Sequence, residues 1–316
     1  MTNEELDVEC AGLTKKFGSF TAVNSLELKI KKGELFGFLG PNGAGKTTTI
    51  KMLTTLLAPN GGKAKIAGYD LVRDAAIVRS KIGVVPQEFA LFGELTPMEN
   101  LWYIGELFGM NKSEIIKRSE ELLKTVGLYE KKDIYSEGFS GGMKQRLSVA
   151  AGLLHKPQIL FMDEPTTGLD PQSRIALREL TKRLNDSGMT IVYTTHDMEE
   201  ADKLCQRIAI MDKGHIIAEG TPQELKRKHG GNHRIEIETD EPAHKLAEEI
   251  KEFLKIDTIT VKGNKIEISM KNMEKAALLT LSNYLAKKHV KVKELRTAEP
   301  SLEDVFINLT KKDVRD

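Results

Sequence analysis

Gly40-Pro41-Asn42-Gly43-Ala44-Gly45-Lys46-Thr47 follows the apolar run Leu35-Phe36-Gly37-Phe38-Leu39, and behind it Ile50, Leu53, Thr54 and Leu57 recur at helical spacing. The octapeptide matches G-x-x-x-x-G-K-[ST] in the context that gives the pattern weight, between a strand and a helix. Glycines let the backbone curl until successive N–H groups converge on phosphate oxygens, and the helix N-terminus adds the positive end of its dipole. Lys46 can reach the outer phosphates as a point charge, and the Thr47 hydroxyl can ligate Mg²⁺, with Thr48 next on the same helix. Residues 40–48 are therefore expected to hold a nucleotide.

Further along, Ile159-Leu160-Phe161-Met162-Asp163-Glu164 sets two acids behind four apolar residues. A buried strand would deliver Asp163 at its carboxyl end, where it can hold Mg²⁺, and Glu164 one residue on could polarise an attacking water. Around these motifs the chain alternates. Strands are expected at 8–12, 21–30, 34–39, 158–162, 190–195, 207–211 and 215–219, with helices at 172–186 and 198–205 and a mostly helical stretch over 96–155. Such alternation around a glycine-rich loop predicts an α/β domain with a mainly parallel sheet.

The basic, glycine-containing stretch Lys226 to His233 reads as a linker. Beyond it the order is strand (234–238), helix (242–254), strand (258–262), strand (265–270), helix (273–288) and strand (290–295), the βαββαβ arrangement of ferredoxin-like domains. A last helix begins at Pro300-Ser301 and carries Leu302, Val305, Phe306 and Leu309 on one face.

Composition narrows the rest. The 316 residues carry 47 Lys+Arg against 46 Asp+Glu, a net charge of +1, so no global field recruits nucleic acid or an anionic membrane. No apolar run approaches the roughly 18–20 residues that span a bilayer. The acidic start lacks the marks of a signal peptide. Two isolated cysteines, Cys10 and Cys205, argue against a disulfide framework or a structural zinc site and fit a reducing cytosol. His229 and His233 flank Gly230-Gly231, which suits a flexible segment better than a metal-binding helix, and Lys226-Arg227-Lys228 reads as solvated. Trp102, Tyr103 and Phe108 read as a packing face of a helix.

Between the two phosphate-site motifs lies Phe139-Ser140-Gly141-Gly142-Met143, opening a helix with Leu147, Ala150, Ala151 and Leu154 at helical spacing, a second anion-binding terminus in one chain. With this the sequence resembles an ABC-type ATPase, the nucleotide-binding subunit of an ABC transporter. The order is that family's: phosphate loop at 40–47, Gln87, signature at 139–143, acid strand at 159–163, Glu164, Gly168-Leu169-Asp170 and His196. The resemblance covers about residues 5–225. It implies a P-loop ABC-type domain over 1–225, with an N-terminal antiparallel β subdomain and a helical subdomain at about 88–157, then a linker (226–233) and an accessory domain (234–316).

The resemblance also implies roles. ATP and Mg²⁺ are the ligands, and two subunits, a homodimer, close head to tail so that Ser140, Gly141 and Gly142 of one cover the γ-phosphate held by the other. Glu164 is the general base, His196 a γ-phosphate contact, and Gln87 reaches Mg²⁺ at the hinge to the helical subdomain. Asp170 communicates across the dimer, and Phe17 stacks on adenine. An integral membrane permease docks at the helical subdomain, placing the chain at the cytoplasmic face of the cell membrane, and no nucleic acid is expected. Phe139 and Met143 stand where Leu and Gln are commoner, and Phe17 where Tyr is. Glu299-Pro300-Ser301-Leu302-Glu303-Asp304-Val305-Phe306 resembles the appendage of ABC-2 type drug and antibiotic exporters. Two alternatives stay open at this level: an importer subunit, and a soluble ABC ATPase acting on ribosomes or DNA.

Overall fold

Alternation of buried and exposed side chains lays down β1 (Leu6–Phe17) and β2 (Phe20–Lys31), which pair antiparallel around a tight turn setting Phe17 opposite Phe20. The computed structural model describes residues 5–231, 233–240, 243–254, 259–270, 275–288 and 290–312. Gly12, expected to end the first strand, instead sits at a shift of register between Cys10 and Leu13, and β1 continues through the bulge.

Next come β3 (Leu35–Leu39), α1 (Lys46–Leu53), β4 (Gly61–Ile66), β5 (Tyr69–Asp70), α2 (Ala75–Lys81) and β6 (Ile82–Val85). α1 stops short of the expected Leu57. Thr55 turns to a φ of 62°, and the Leu57 amide donates to the Lys51 carbonyl, folding Leu57 back against the core. The helices expected over 96–155 are α3 (Pro97–Leu107), α4 (Lys112–Thr125) and α5 (Gly141–Leu153). A reciprocal capping box between Thr96 and Glu99 starts α3. Then follow β7 (Ile159–Asp163), α6 (Pro171–Asp186), β8 (Thr190–Thr195), α7 (Met198–Leu204), β9 (Arg207–Asp212), β10 (His215–Gly220) and α8 (Pro222–His229).

Six strands form one sheet in the order β10-β9-β3-β8-β7-β6, parallel except for β10. Every residue of β3, β7 and β8 is buried, the mark of a parallel sheet covered on both faces. A second, antiparallel sheet, β2-β1-β4-β5, joins the same core through Leu13, Leu28 and Ile66, which cluster with Phe36, Phe38 and Phe161. Strand order matters for chemistry: β8 lies between β3 and β7, so three carboxyl ends emerge side by side, with Leu39 level with Thr195 and Asp163 with Thr194. Ligands of open α/β sheets bind at such a rim.

The chain divides between Pro222 and Gln223 into two units. Residues 226–229, expected as linker, are the last turns of α8 instead. Buried Leu225 anchors that helix, and its basic end complements the carbonyl end of the dipole. Asn308 donates to the His229 carbonyl, and the Gly230 amide to that of Lys226.

In the second unit β11 (His233–Thr239), α9 (His244–Leu254), β12 (Ile259–Lys262), β13 (Lys265–Met270), α10 (Lys275–Lys287) and β14 (Val292–Ala298) build an antiparallel sheet ordered β12-β13-β11-β14. This is the βαββαβ order, with Ile235, Ile237, Ile266 and Ile268 facing Ile250, Leu281 and Leu285 in one core. β14 runs further than expected because Thr297 and Ala298 still pair with β11. The expected helix starts at 242 and 273, the strand start at 258 and Asn232 of the expected linker lie outside the described residues. α11 (Leu302–Lys312) is the last described element, capped reciprocally by Ser301 and Asp304.

Candidate functional site

The loop between β3 and α1 is shaped by close approach. A Cβ on Gly40 would lie 2.3 Å from the Met211 carbonyl oxygen, so only glycine fits there. Lys46 opens α1 and turns back into the loop it follows, donating to the carbonyls of Gly40 at 2.8 Å and Pro41 at 3.1 Å. Its ammonium also lies 3.1 Å from Glu164 Oε1, and the two side chains are only 4% and 7% exposed. Asn42 and Gly43 stand exposed, while Ala44 and Gly45 are buried, and Thr47 and Thr48 are half-buried.

Across the rim, Asp163 Oδ1 accepts from the Thr194 hydroxyl at 2.6 Å and from the Thr47 hydroxyl at 3.3 Å. Glu164 leaves β7 with a φ of 45°, an uncommon conformation for a side-chain-bearing residue, and its amide is held at 2.9 Å by the Thr194 hydroxyl. Its carboxylate is claimed from three sides: by Lys46, by His196 Nδ1 at 2.9 Å, and by the Thr167 hydroxyl at 3.2 Å. Burial pushes the Glu164 carboxyl up, but the Lys46 ammonium and the His196 ring outweigh it and hold the group below the usual carboxylate range. Glu164 is thus an ionised acceptor at neutral pH.

The structure brings Lys46, Thr47, Asp163, Glu164 and His196 into one cluster. Gln87 lies exposed on the loop after β6, which pairs with β7 so that Val85 is level with Met162. Phe17 is half exposed at the β1–β2 turn, with the Lys15 ammonium 5.4 Å from its ring, so it is not a core residue. Ser140 is the N-cap of α5 and accepts from the Met143 amide, while Gly141 beside it is exposed. Gly142 is pressed against α6, where an added Cβ would meet Ser173 Oγ at 2.2 Å. Asp170 caps α6 by accepting from the amide and hydroxyl of that same Ser173, and the hydroxyl bond first, then the amide bond, lowers its carboxyl. Among the described residues, no hydrogen bond or ion pair joins residues 139–143 to the Lys46 cluster.

Thr194 and Thr167 escaped the sequence reading. Their signal was faint: two Thr-Thr pairs, 166–167 and 194–195, each beside a motif residue. Among the described residues no cluster of three or more His, Cys, Asp or Glu could hold a metal.

A glycine loop around a buried lysine, faced by an acid pair on a strand two places away in a parallel sheet, defines a P-loop nucleotide-binding domain. Residues 23–167 match the model of the ABC transporter family, and residues 220–310 that of the ATP-binding protein DrrA1-3-like C-terminal domain. The linearmycin resistance ATP-binding protein LnrL of Bacillus subtilis (strain 168) is 41% identical, covering 98% of this chain and 100% of its own. The daunorubicin/doxorubicin resistance ATP-binding protein DrrA of Streptomyces peucetius is 38% identical over 96% of this chain and 92% of its own. The Nod factor export ATP-binding protein I of Cupriavidus metallidurans is also 38% identical, over 98% and 99%. A solved ATP-binding subunit of an ABC transporter superposes with a TM-score of 0.64 at 30% identity, covering 71% of this chain and 93% of that one. The chain belongs to the ATP-binding subunits of ABC transporters, a family that binds and hydrolyses ATP.

Proposed function

We propose that this chain powers an exporter by closing, as a head-to-tail homodimer, around two molecules of ATP. The observation that carries this reading is the division of labour within one chain. Lys46, Asp163, Glu164 and His196 converge, while the exposed α5 terminus at Ser140 and Gly141 makes no bond to them. A second copy would bring its own α5 terminus to the γ-phosphate over the first copy's P-loop, as the family resemblance implies. ATP then carries negative charge to two helix termini from different subunits, so binding favours closure and phosphate release removes that bias.

In the closed site Lys46 exchanges its contacts with Glu164 for phosphate oxygens. Glu164 accepts the proton of the attacking water, and His196 holds Glu164 in place and contacts the γ-phosphate. Phe17 supplies a half-exposed ring for adenine, Asp170 meets the partner copy, and Gln87 reaches the metal and water region. The oxygens of Thr47 and Asp163 suit a hard divalent cation that keeps most of its ligands as water and phosphate. They would hold Mg²⁺, which supplies charge neutralisation at the phosphate oxygens.

Among the described residues no helix is long and apolar enough to cross a membrane; on this reading an integral membrane permease is the partner, as the family resemblance implies. An apolar groove of about 280 Å³, lined by Leu56, Ile82, Pro86, Ile104, Phe108 and His155, supports docking there, at the cytoplasmic face of the cell membrane. Within it the Phe108 and His155 rings stack with centroids 3.9 Å apart, and Tyr103 packs edge-on against Phe92. The drug-resistance names of the relatives and the matched C-terminal domain support outward transport of a toxic small molecule. The test is Glu164→Gln, which should abolish steady-state hydrolysis, retain ATP binding and trap an ATP-bound dimer. Unchanged turnover would refute the base assignment.

A further inference from the structure

Glu200 is a carboxylate inside the protein, only 4% exposed, and no residue of the proposed reaction includes it. It sits at the third position of α7, three residues after the N-cap Asp197. Asp197-x-x-Glu200 reads as a capping box, in which the glutamate would turn back to the N-cap amide. The structure closes only half of it. Asp197 accepts from the Glu200 amide at 3.0 Å, but the Asp197 amide donates to the Thr195 hydroxyl at 2.9 Å instead. The Glu200 side chain turns inward, and one oxygen, Oε2, accepts from Thr166 at 2.8 Å and from Thr195 at 3.1 Å. Both hydroxyls are buried as well.

The two threonines belong to different segments. Thr195 directly precedes His196, and Thr166 lies two residues after Glu164 in the turn that leads to Asp170. Within that turn the Thr167 amide donates to the Glu164 carbonyl, and the Leu169 amide to that of Thr166. No salt bridge among the described residues involves Glu200.

We infer that Glu200 is a positioning residue for ATP hydrolysis: its single oxygen ties the segment of Glu164 to the segment of His196 and so fixes the 2.9 Å contact between them. This rests on the roles proposed for Glu164 and His196. The clamp supplements the β7–β8 pairing, which ends at Asp163 and Thr194, just before both residues need their geometry. It also helps hold Glu164 in its positive-φ conformation.

The experiment is a double-mutant cycle on the full-length chain, reading kcat, ATP affinity and melting temperature. Glu200→Ala should lower kcat about a hundredfold, the cost of a misplacement near 1 Å, with ATP affinity unchanged. Glu200→Gln keeps a carbonyl oxygen that accepts from both threonines and should restore turnover to within about threefold of the parent. In a His196→Ala background, which already lacks the positioned contact, Glu200→Ala should have little further effect. Equal losses in both backgrounds, or a Gln variant as slow as the Ala variant, would overturn the inference. Should Glu200→Ala fail to fold, Thr166→Val and Thr195→Val each remove one hydroxyl, and normal turnover in both would overturn it too. Glu164→Gln measured in parallel separates the outcomes: full turnover there sinks the base assignment, whereas a missing Glu200–His196 coupling sinks only the clamp.

Discussion

Replacing Lys46 by alanine strips Glu164 of its main counter-charge while leaving it buried. Removing one partner of a buried pair costs about 3–5 kcal/mol. The crevice opens to water beside His196, which is 47% exposed, so the lower end applies, about 3 kcal/mol. In a domain of this size each kcal/mol moves the melting temperature by about 2–4 °C, which gives a loss of about 6–12 °C for the first unit at neutral pH. The pH dependence also weakens. With Lys46 present the Glu164 carboxyl lies below its ordinary value, so its stabilisation is in place above the unfolded carboxylate pKa and is lost as pH falls through the folded one. Without Lys46 its share of that lowering is gone and the His196 share remains, so the folded value moves up and the variant loses less stability between pH 7 and pH 5 than the parent does. Thermal scans of Lys46→Ala, Glu164→Gln and the double variant at pH 7 and pH 5 read both effects. The double variant should recover most of the loss, because neither charge of the buried pair remains. A loss below about 2 °C in Lys46→Ala, or a double variant no more stable than it, would refute the pairing.

Gly142→Ala should slow ATP turnover about a hundredfold with binding intact, because the new methyl collides with Ser173 and moves the α5 terminus; steady-state hydrolysis beside nucleotide titration checks this. Asp304→Asn should destabilise the second unit at neutral pH and flatten its acid unfolding. Burial raises the Asp304 carboxyl, but Ser301 and Arg234 hold it low, so its stabilisation is present above the ordinary Asp value and lost below it; acid titration followed by circular dichroism reads the difference.

Much of this molecule was legible in its residues because its strongest signals are local. The strand–loop–helix around Lys46 and the apolar run into Asp163 need only a few consecutive residues to declare themselves. Residues 61–85 carry no clear local pattern: β4 starts on two glycines, residues that ordinarily weaken a strand, and β5 is two residues long. Gly12 misled for the same reason, since a bulge and a strand end share a glycine. The basic run at 226–229 looked like a linker because its helix is secured by one buried leucine and by Asn308, which lies 79 residues away. In the site, Lys46 and Glu164 could be named from sequence, but their ion pair could not, and neither could the Thr194 and Glu200 clamps. Those depend on β8 lying between β3 and β7, a matter of strand order.

The claim that one active site needs two copies is tested most directly by mixing two inactive chains. Glu164→Gln keeps its signature helix and loses its base; Ser140→Arg keeps its base and blocks its signature. Neither should hydrolyse ATP alone. Mixed in equal amounts they should regain roughly a quarter of the parent rate, since random pairing makes half the dimers mixed and each of those holds one intact site. No recovery on mixing, or full turnover by Ser140→Arg as a strict monomer, would contradict the account.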